Sequence, residues 1–198
     1  GGGEAEGTAT WLAIGDEPPR AFRFVDGLRE GAAEAVAGLM ARGMRVVLLS
    51  GDSRGAVEAT AQRAGIGEWH AEALPEDKIA LLEALAREGR RVLMVGDGLN
   101  DTGALAAAHV SISPASALDA ARTVSDMVLT ARSLAVLPEI VTTARAARRR
   151  VLENFTIAAL YNMVSIPLAL AGLASPLAAA LAMSGSSITV TLNALRLR

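Results

Sequence analysis

Apolar residues change their spacing several times along the chain, and each change marks an element. Residues 8 to 25 hold two short β-like runs, TATWLAIG and RAFRFV, separated by the turn DEPPR. Ala33, Val36, Leu39 and Met40 then recur at helical spacing, with Gly43 following as a stop. RVVLLSGD reads as a buried strand ending at Ser50-Gly51-Asp52, and residues 53 to 64 predict a helix closed by Gly65. PEDKIALLEALAREG opens with Pro75, carries acids in its first turn and stops at Gly89. Arg91 to Val95 predicts the next strand. A helix follows from about Asn100 to Ala108, then the short strand HVSIS and the run DMVLT. Strands alternating with helices predict an α/β fold with a Rossmann-like parallel sheet covered on both faces. In such sheets function gathers at the carboxyl ends of the strands.

Beyond Ser133 the pattern changes. One long helix carries Arg145, Arg148, Arg149 and Arg150, and from Asn154 to Leu195 there are 42 residues without Asp, Glu, Lys, Arg or His. A bilayer-crossing helix needs about 20 apolar residues, so this stretch holds two. Pro176, in GLASP, divides it into about 154–173 and 176–195. The basic residues lie before the first half and after the second (Arg196, Arg198), which predicts cytoplasmic ends and an external loop. The alternative is a helical hairpin buried in a large soluble core, but soluble helices keep a polar face.

Composition narrows the classes. The 198 residues have a formal net charge of −2 and 3% aromatics, which argues against a nucleic-acid partner. Mean hydropathy is +0.35, and the apolar excess is local to the last third. There is no cysteine, hence no disulfide framework and no thiolate metal site. The opening GGGEAEGTAT has neither an initiator Met nor a signal peptide, so the chain is expected to be part of something longer.

The chemistry concentrates in VGDGLND, residues 95 to 101. Asp97 and Asp101, four residues apart at a strand end, repel each other unless a cation sits between them, and hard oxygen ligands suit Mg²⁺. Gly96 and Gly98 let the backbone turn tightly and leave room for a ligand. Ser50 ends the neighbouring strand and is placed to offer its hydroxyl and backbone N–H to a phosphate oxygen. Lys78, in PEDK, adds a point charge to the same phosphate. Each feature alone has a plainer reading: Asp52 or Ser53 as a helix N-cap, Lys78 as a solvated helix residue, the Asp pair as a turn. In this order after successive strands they describe a phosphoryl-transfer site that works by positioning and charge neutralisation.

SGD, PEDK and VGDGLNDTGAL resemble the last three signature motifs of the haloacid-dehalogenase superfamily in its P-type ATPase form, a resemblance covering nearly the whole chain. It implies that Asp97 ligates Mg²⁺ and that Asn100 and Asp101 order the phosphate and its metal. Ser50 (usually Thr in the family) and Gly51 would bind the phosphoryl oxygens beside Asp52, and Lys78 would neutralise them. ATP would be handled through parts mostly missing from this chain. The resemblance divides the chain into residues 1–25, the end of a nucleotide-binding domain and its return segment, 26–132, a partial phosphorylation domain, and 133–198, a linking helix with two transmembrane helices. DGLRE, from Asp26 to Glu30, looks like the point of return. The family's phosphorylated Asp-Lys-Thr-Gly-Thr string does not occur. Asp26 is no substitute, because Leu28 and Glu30 stand where a superfamily nucleophile wants Asp and then Thr or Val.

The apolar halves carry Tyr161-Asn162 and MSGSS, Met183 to Ser187. At 1.5 Å per residue Asn162 lies roughly 12 Å and Met183 roughly 18 Å inside the same edge, both near the midplane. Polar groups at that depth are usually functional, although small residues such as Ser184 also let helices pack closely. A thioether beside an amide and a phenol suits soft Cu⁺ better than ions that want carboxylates. Tyr161, Asn162, Met183 and Ser184 are thus candidate copper ligands. These motifs are similar to the last two membrane helices of copper-transporting P-type ATPases, and AAAHVSISPASALDAARTVSDMVL looks like the bacterial branch linked to haem–copper oxidase assembly. The resemblance implies a bacterial plasma-membrane location, a cytoplasmic α/β domain, the remainder of a pump chain as partner, and copper donor or acceptor proteins. His70 and His109 read as packing or surface residues, and Trp11 and Trp69 as packing residues. Three readings stay open: part of a Cu⁺-exporting pump, a membrane-tethered phosphatase of the same superfamily, or a non-catalytic Mg²⁺-binding fragment.

Overall fold

The computed structural model describes residues 9–15, 18–23, 27–173 and 175–196, and divides into two compact units, Gly1–Leu137 and Pro138–Arg198. Asp26 and Arg198, both invoked above, lie outside the described residues.

In the first unit β1 (Ala9–Leu12) and β2 (Arg20–Arg23) pair antiparallel. Trp11 on β1 is half exposed, at 50%, so it does not take the packing role expected of it. After α1 (Ala32–Met40), strand and helix alternate as β3 (Val47–Leu49), α2 (Arg54–Ala64), β4 (Glu68–His70), α3 (Pro75–Arg87), β5 (Leu93–Val95), α4 (Thr102–Ala107), β6 (Val110–Pro114), α5 (Asp119–Val124) and β7 (Met127–Leu129). Every pairing from β3 onward is parallel. The strands form two ladders rather than one, β3–β4 and β5–β6–β7, with no described pairing between β3 and β5.

Local chemistry explains the helix limits. α3 starts at Pro75, whose missing N–H costs nothing in a first turn, and Asp77 Oδ2 accepts the Leu74 N–H at 2.9 Å. α2 stops at Gly65, whose φ of 74° is left-handed. α1 begins after Gly31, with φ 73°, where a Cβ would lie 2.2 Å from Ser133 Oγ. That approach seats a 3₁₀ turn, Leu134–Val136, against the start of α1, and Leu134 N–H donates to Glu30 O at 2.8 Å.

The core is built from small residues. Leu105, Ala117 and Ala121 pack with Met94, while Val57, Ala61 and Ala64 bury one face of α2. β6 is the most enclosed strand. Ser111 is satisfied there by Asp126, which accepts its N–H at 2.8 Å and its hydroxyl at 3.1 Å.

The second unit holds α6 (Leu137–Leu170, from Pro138 on) and α7 (Pro176–Leu195). The apolar run expected at 154–173 is the end of a single 34-residue helix, because the Arg-rich stretch before it is equally helical. α7 has the expected bounds. Ser175 caps it, accepting the Ala178 N–H at 3.2 Å, and Pro176 occupies the first turn. Both helices are long and apolar enough to cross a membrane, and their apolar windows are 0% and 6% buried. Ser165, Thr189 and Thr191 each return their hydroxyl to a carbonyl of their own helix at 2.8 Å, which removes a donor from apolar surroundings.

Candidate phosphate site and the polar residues of the apolar helices

The loop after β5 carries both carboxylates, and each has its own cation. Lys78 sits in the first turns of α3 and is only 6% exposed. Its Nζ donates to Asp101 Oδ1 at 2.7 Å, while Asp101 Oδ2 accepts the Gly98 N–H at 3.3 Å. This double engagement closes a 3₁₀ turn, Leu99–Asp101, so α4 begins at Thr102 rather than at the expected Asn100. A Cβ on Gly96 would meet Asp101 Cβ at 3.0 Å and Oδ2 at 3.1 Å. The room left by Gly96 and Gly98 is therefore filled by the Asp101 carboxylate. Neither glycine has a positive φ, so close approach is what they provide here.

Asp97 Oδ2 accepts from Arg29 Nη2, and Arg29 Nη1 donates to Ser116 Oγ at 3.0 Å. The Asp97 carbonyl accepts the Leu118 N–H at 3.2 Å, which ties the start of α5 to the same loop. Sequence reasoning missed Arg29 and Ser116. Arg29 stood in plain sight within DGLRE, but nothing local said which acid it would meet.

At the end of β3, Ser50 Oγ donates to Asp52 Oδ2 at 2.8 Å and accepts the Asp52 N–H at 3.2 Å. The N-cap of α2 is Ser53, without a side-chain hydrogen bond, so Asp52 orients Ser50 instead of capping. Ser50 N–H donates to His70 O at 3.0 Å, Ala73 N–H donates to Ser50 O at 3.0 Å, and Glu72 N–H donates to Asp52 O at 2.9 Å. Glu72 has φ 55°, a left-handed conformation that costs about 1 kcal/mol in a non-glycine residue. Gly51 is exposed, and a Cβ there would lie 3.4 Å from Ala73 O. Asn100 is exposed and its amide makes no hydrogen bond to a described residue. No hydrogen bond joins the Ser50–Asp52 loop to Lys78, Asp97 or Asp101 among the described residues. The structure thus brings Lys78, Gly96, Gly98 and Asp101 together, pairs Asp97 with Arg29, and holds Ser50, Gly51 and Asp52 as a separate loop.

His70 and His109 are exposed, as expected, and Trp69 lies under the Arg54 guanidinium, 5.8 Å from the ring centroid. The hard oxygens of Asp97 and Asp101 fit Mg²⁺ chemically. Asp97 is the accessible member, with 49% of its side chain exposed against 16% for Asp101. Holding an ion there competes with Arg29 for Asp97, a competition between +1 and +2 charges.

In the helices of the second unit, Met183 is 68% exposed and Asn162 is exposed. Unlike the back-bonded hydroxyls, Tyr161, Asn162 and Ser184 make no side-chain hydrogen bond to a described residue. The structure does not join Tyr161 or Asn162 to Met183 or Ser184. α6 and α7 are instead linked at Asn193, whose Nδ2 donates to Asn154 Oδ1 at 2.9 Å and to Glu153 Oε2 at 3.2 Å.

Comparison with known proteins bears on both units. A family model described as haloacid dehalogenase-like hydrolase matches residues 2–109. The nitrogen fixation protein FixI of Rhizobium leguminosarum bv. viciae is 47% identical over 89% of this chain and 23% of its own length. The copper-exporting P-type ATPase of Mycobacterium tuberculosis is 41% identical over 96% of this chain and 25% of its own. Among solved structures, a zinc-transporting PIB-type ATPase in an E2·Pi state superimposes with TM-score 0.81 at 36% identity, over 89% of this chain and 29% of that one. The chain spans about a quarter of the length of the curated relatives it matches.

Proposed function

The chain belongs to the haloacid dehalogenase-like hydrolase family, and from that premise we propose that it forms part of a metal-transporting P-type ATPase. The observation that carries the reading is the engaged carboxylate pair: Asp101 held by buried Lys78, and Asp97 at the accessible edge of the same loop. In the working pump Lys78 is the cation that meets a phosphoryl group, with Asp101 fixing its ammonium in place. Ser50, oriented by Asp52, donates its hydroxyl to a phosphoryl oxygen, and the exposed Gly51 backbone lies beside it. Asn100, whose amide has no hydrogen-bond partner among the described residues, meets the phosphate. Asp97 and Asp101 would hold Mg²⁺, which supplies neutralising positive charge to the phosphate when bound. Arg29 occupies Asp97 until then. The phosphorylated aspartate and most of the ATP-binding surface would come from the rest of the pump.

The proposed cargo is a soft monovalent ion, Cu⁺. The apolar helices contain no carboxylate and no histidine between Asn154 and Leu195, which disfavours hard or divalent cargo. Tyr161, Asn162, Met183 and Ser184 are the proposed ligands, brought together with other helices of the pump. The proposed location is a bacterial plasma membrane with the α/β unit cytoplasmic, following the arginines that flank the spans.

The test is phosphorylation of the full-length pump by labelled ATP with Mg²⁺. Asp97→Asn removes a hard ligand from an exposed position, so folding should survive while acid-stable phosphoenzyme falls at least tenfold. Wild-type labelling in that variant would reduce GDGLND to an ordinary turn. Stimulation by Zn²⁺ in place of Cu⁺ would keep the pump and overturn the cargo.

A further inference from the structure

On α6, residues 145, 148, 149 and 152 follow at i, i+3, i+4 and i+7, the spacing of a single helix face. That face and Asn193 of α7 line an open groove of about 620 Å³. The groove is chemically graded along its length. Arg145, Arg148 and Arg149 form one end, and Leu152 and Ile157 form the other. Arg149 is paired with Glu153, its Nε 3.0 Å from Oε1, whereas Arg145 and Arg148 make no ion pair with any described residue. Three arginines against one glutamate leave the groove formally positive. Asn193, 9% exposed, holds the groove's two walls together through its bonds to Glu153 and Asn154.

The grading coincides with the depth at which a bilayer changes character. The uncharged run begins at Asn154, so at 1.5 Å per residue Arg149 lies about 7 Å and Arg148 about 9 Å outside that edge. A headgroup layer is about 5–7 Å thick, so the Arg149 backbone stands at its outer face, and Arg148 and Arg145, about 9 and 13 Å out, reach toward it only through their long side chains. Leu152 stands at the boundary and Ile157 inside it. A free anion would use only the basic end of such a groove. A phospholipid uses both ends, its phosphate against the guanidiniums and an acyl chain along Leu152 and Ile157.

We infer that this groove binds an anionic phospholipid, headgroup toward Arg145 and Arg148, an inference that rests on α6 and α7 lying in a membrane. Selectivity comes from the two unpaired arginines, because a zwitterionic lipid brings its own cation to compete with them. Each arginine near an anionic surface is worth about a fivefold change in affinity, so removing both should cost about 25-fold.

The experiment uses the full chain reconstituted in vesicles of phosphatidylcholine with and without phosphatidylglycerol. Membrane insertion is scored first, by resistance to alkaline extraction. Lipid binding is then read by native mass spectrometry of the purified chain titrated with each lipid. The wild type should prefer phosphatidylglycerol at least fivefold, and Arg145→Gln/Arg148→Gln should bring the two lipids within about twofold of each other. Arg90→Gln/Arg91→Gln, removing the same charge far along the chain, should leave the preference intact. An equal loss in that control, or no preference in the wild type, overturns the inference while leaving the membrane reading standing. Complete competition by inorganic phosphate would mean a free-anion site and also overturns it. Failure to insert removes the premise, and with it both readings.

Discussion

Lys78→Met isolates the charge of the Lys78–Asp101 pair, because it keeps most of the stem volume and deletes the ammonium. The two side chains are 8% and 16% exposed, and the contact is 2.7 Å. Without Lys78 the Asp101 carboxylate retains only the Gly98 N–H at 3.3 Å. Removing one partner of a buried pair costs about 3–5 kcal/mol. The residual exposure of Asp101 lets water restore part of that, so the lower end, about 3 kcal/mol, is expected. Asp101→Asn alone should also destabilise, by stranding the ammonium. The double variant Lys78→Met/Asp101→Asn strands neither charge and should be less damaging than the two singles added together, by about 2 kcal/mol. The assay is urea unfolding of the chain in detergent, followed through Trp69 fluorescence in a Trp11→Phe background. With a urea dependence of about 1–3 kcal/mol per molar, the Lys78→Met midpoint should fall by roughly 1–3 M at unchanged slope. A loss below about 1 kcal/mol, or strict additivity in the double variant, would falsify the view that this pair holds the loop.

Three further outcomes are expected. The chain alone, given labelled ATP and Mg²⁺, should form no acid-stable phosphoprotein, and a label abolished by Asp26→Asn would restore Asp26 as a nucleophile. In the full-length pump Met183→Leu should cut Cu⁺-stimulated ATPase activity at least tenfold while Met163→Leu does not; equal losses would point to packing, and no loss in Met183→Leu would sink the ligand assignment. The hydrogen bond from Arg45 holds the Glu68 carboxyl below its ordinary range, so this pair stabilises the β3–β4 ladder at neutral pH and ceases to as pH falls through the depressed value. Carboxyl NMR should show the Glu68 midpoint rising in Arg45→Gln, and an unmoved midpoint would discount the pair.

The elements with strong periodicity were legible: α2, α3 and α7 carry long apolar patterns with a proline or glycine at an end. β4 was not, because Glu68-Trp69-His70 is three residues long and shows no alternation. α5, six residues of Asp119–Val124, is shorter than the window in which a 3.6 period is visible. In the site, the glycines and the Asp pair drew attention to this loop, but not to which side-chain cation each carboxylate meets, Arg29 at Asp97 and Lys78 at Asp101. Arg29 is 68 positions from Asp97 in sequence, and tertiary pairing at that range leaves no local mark. The Ser50–Asp52 hydrogen bond was equally hidden, since an Asp before a helix ordinarily reads as its cap.

The separation of β3–β4 from β5–β6–β7 has a consequence for cooperativity. The loop of Ser50 hangs from one ladder and the loop of Asp97 from the other, with no shared backbone rung between them among the described residues. Packing of α3 on α4, where a Cβ on Gly103 would meet Ile79 Cδ1 at 2.8 Å, and the Lys78–Asp101 contact connect the two. Amide exchange should therefore resolve two foldons, each protected to its own free energy. A relative shift of the two loops would break side-chain contacts rather than a ladder. A change of aperture between them would leave each ladder's protection against exchange intact.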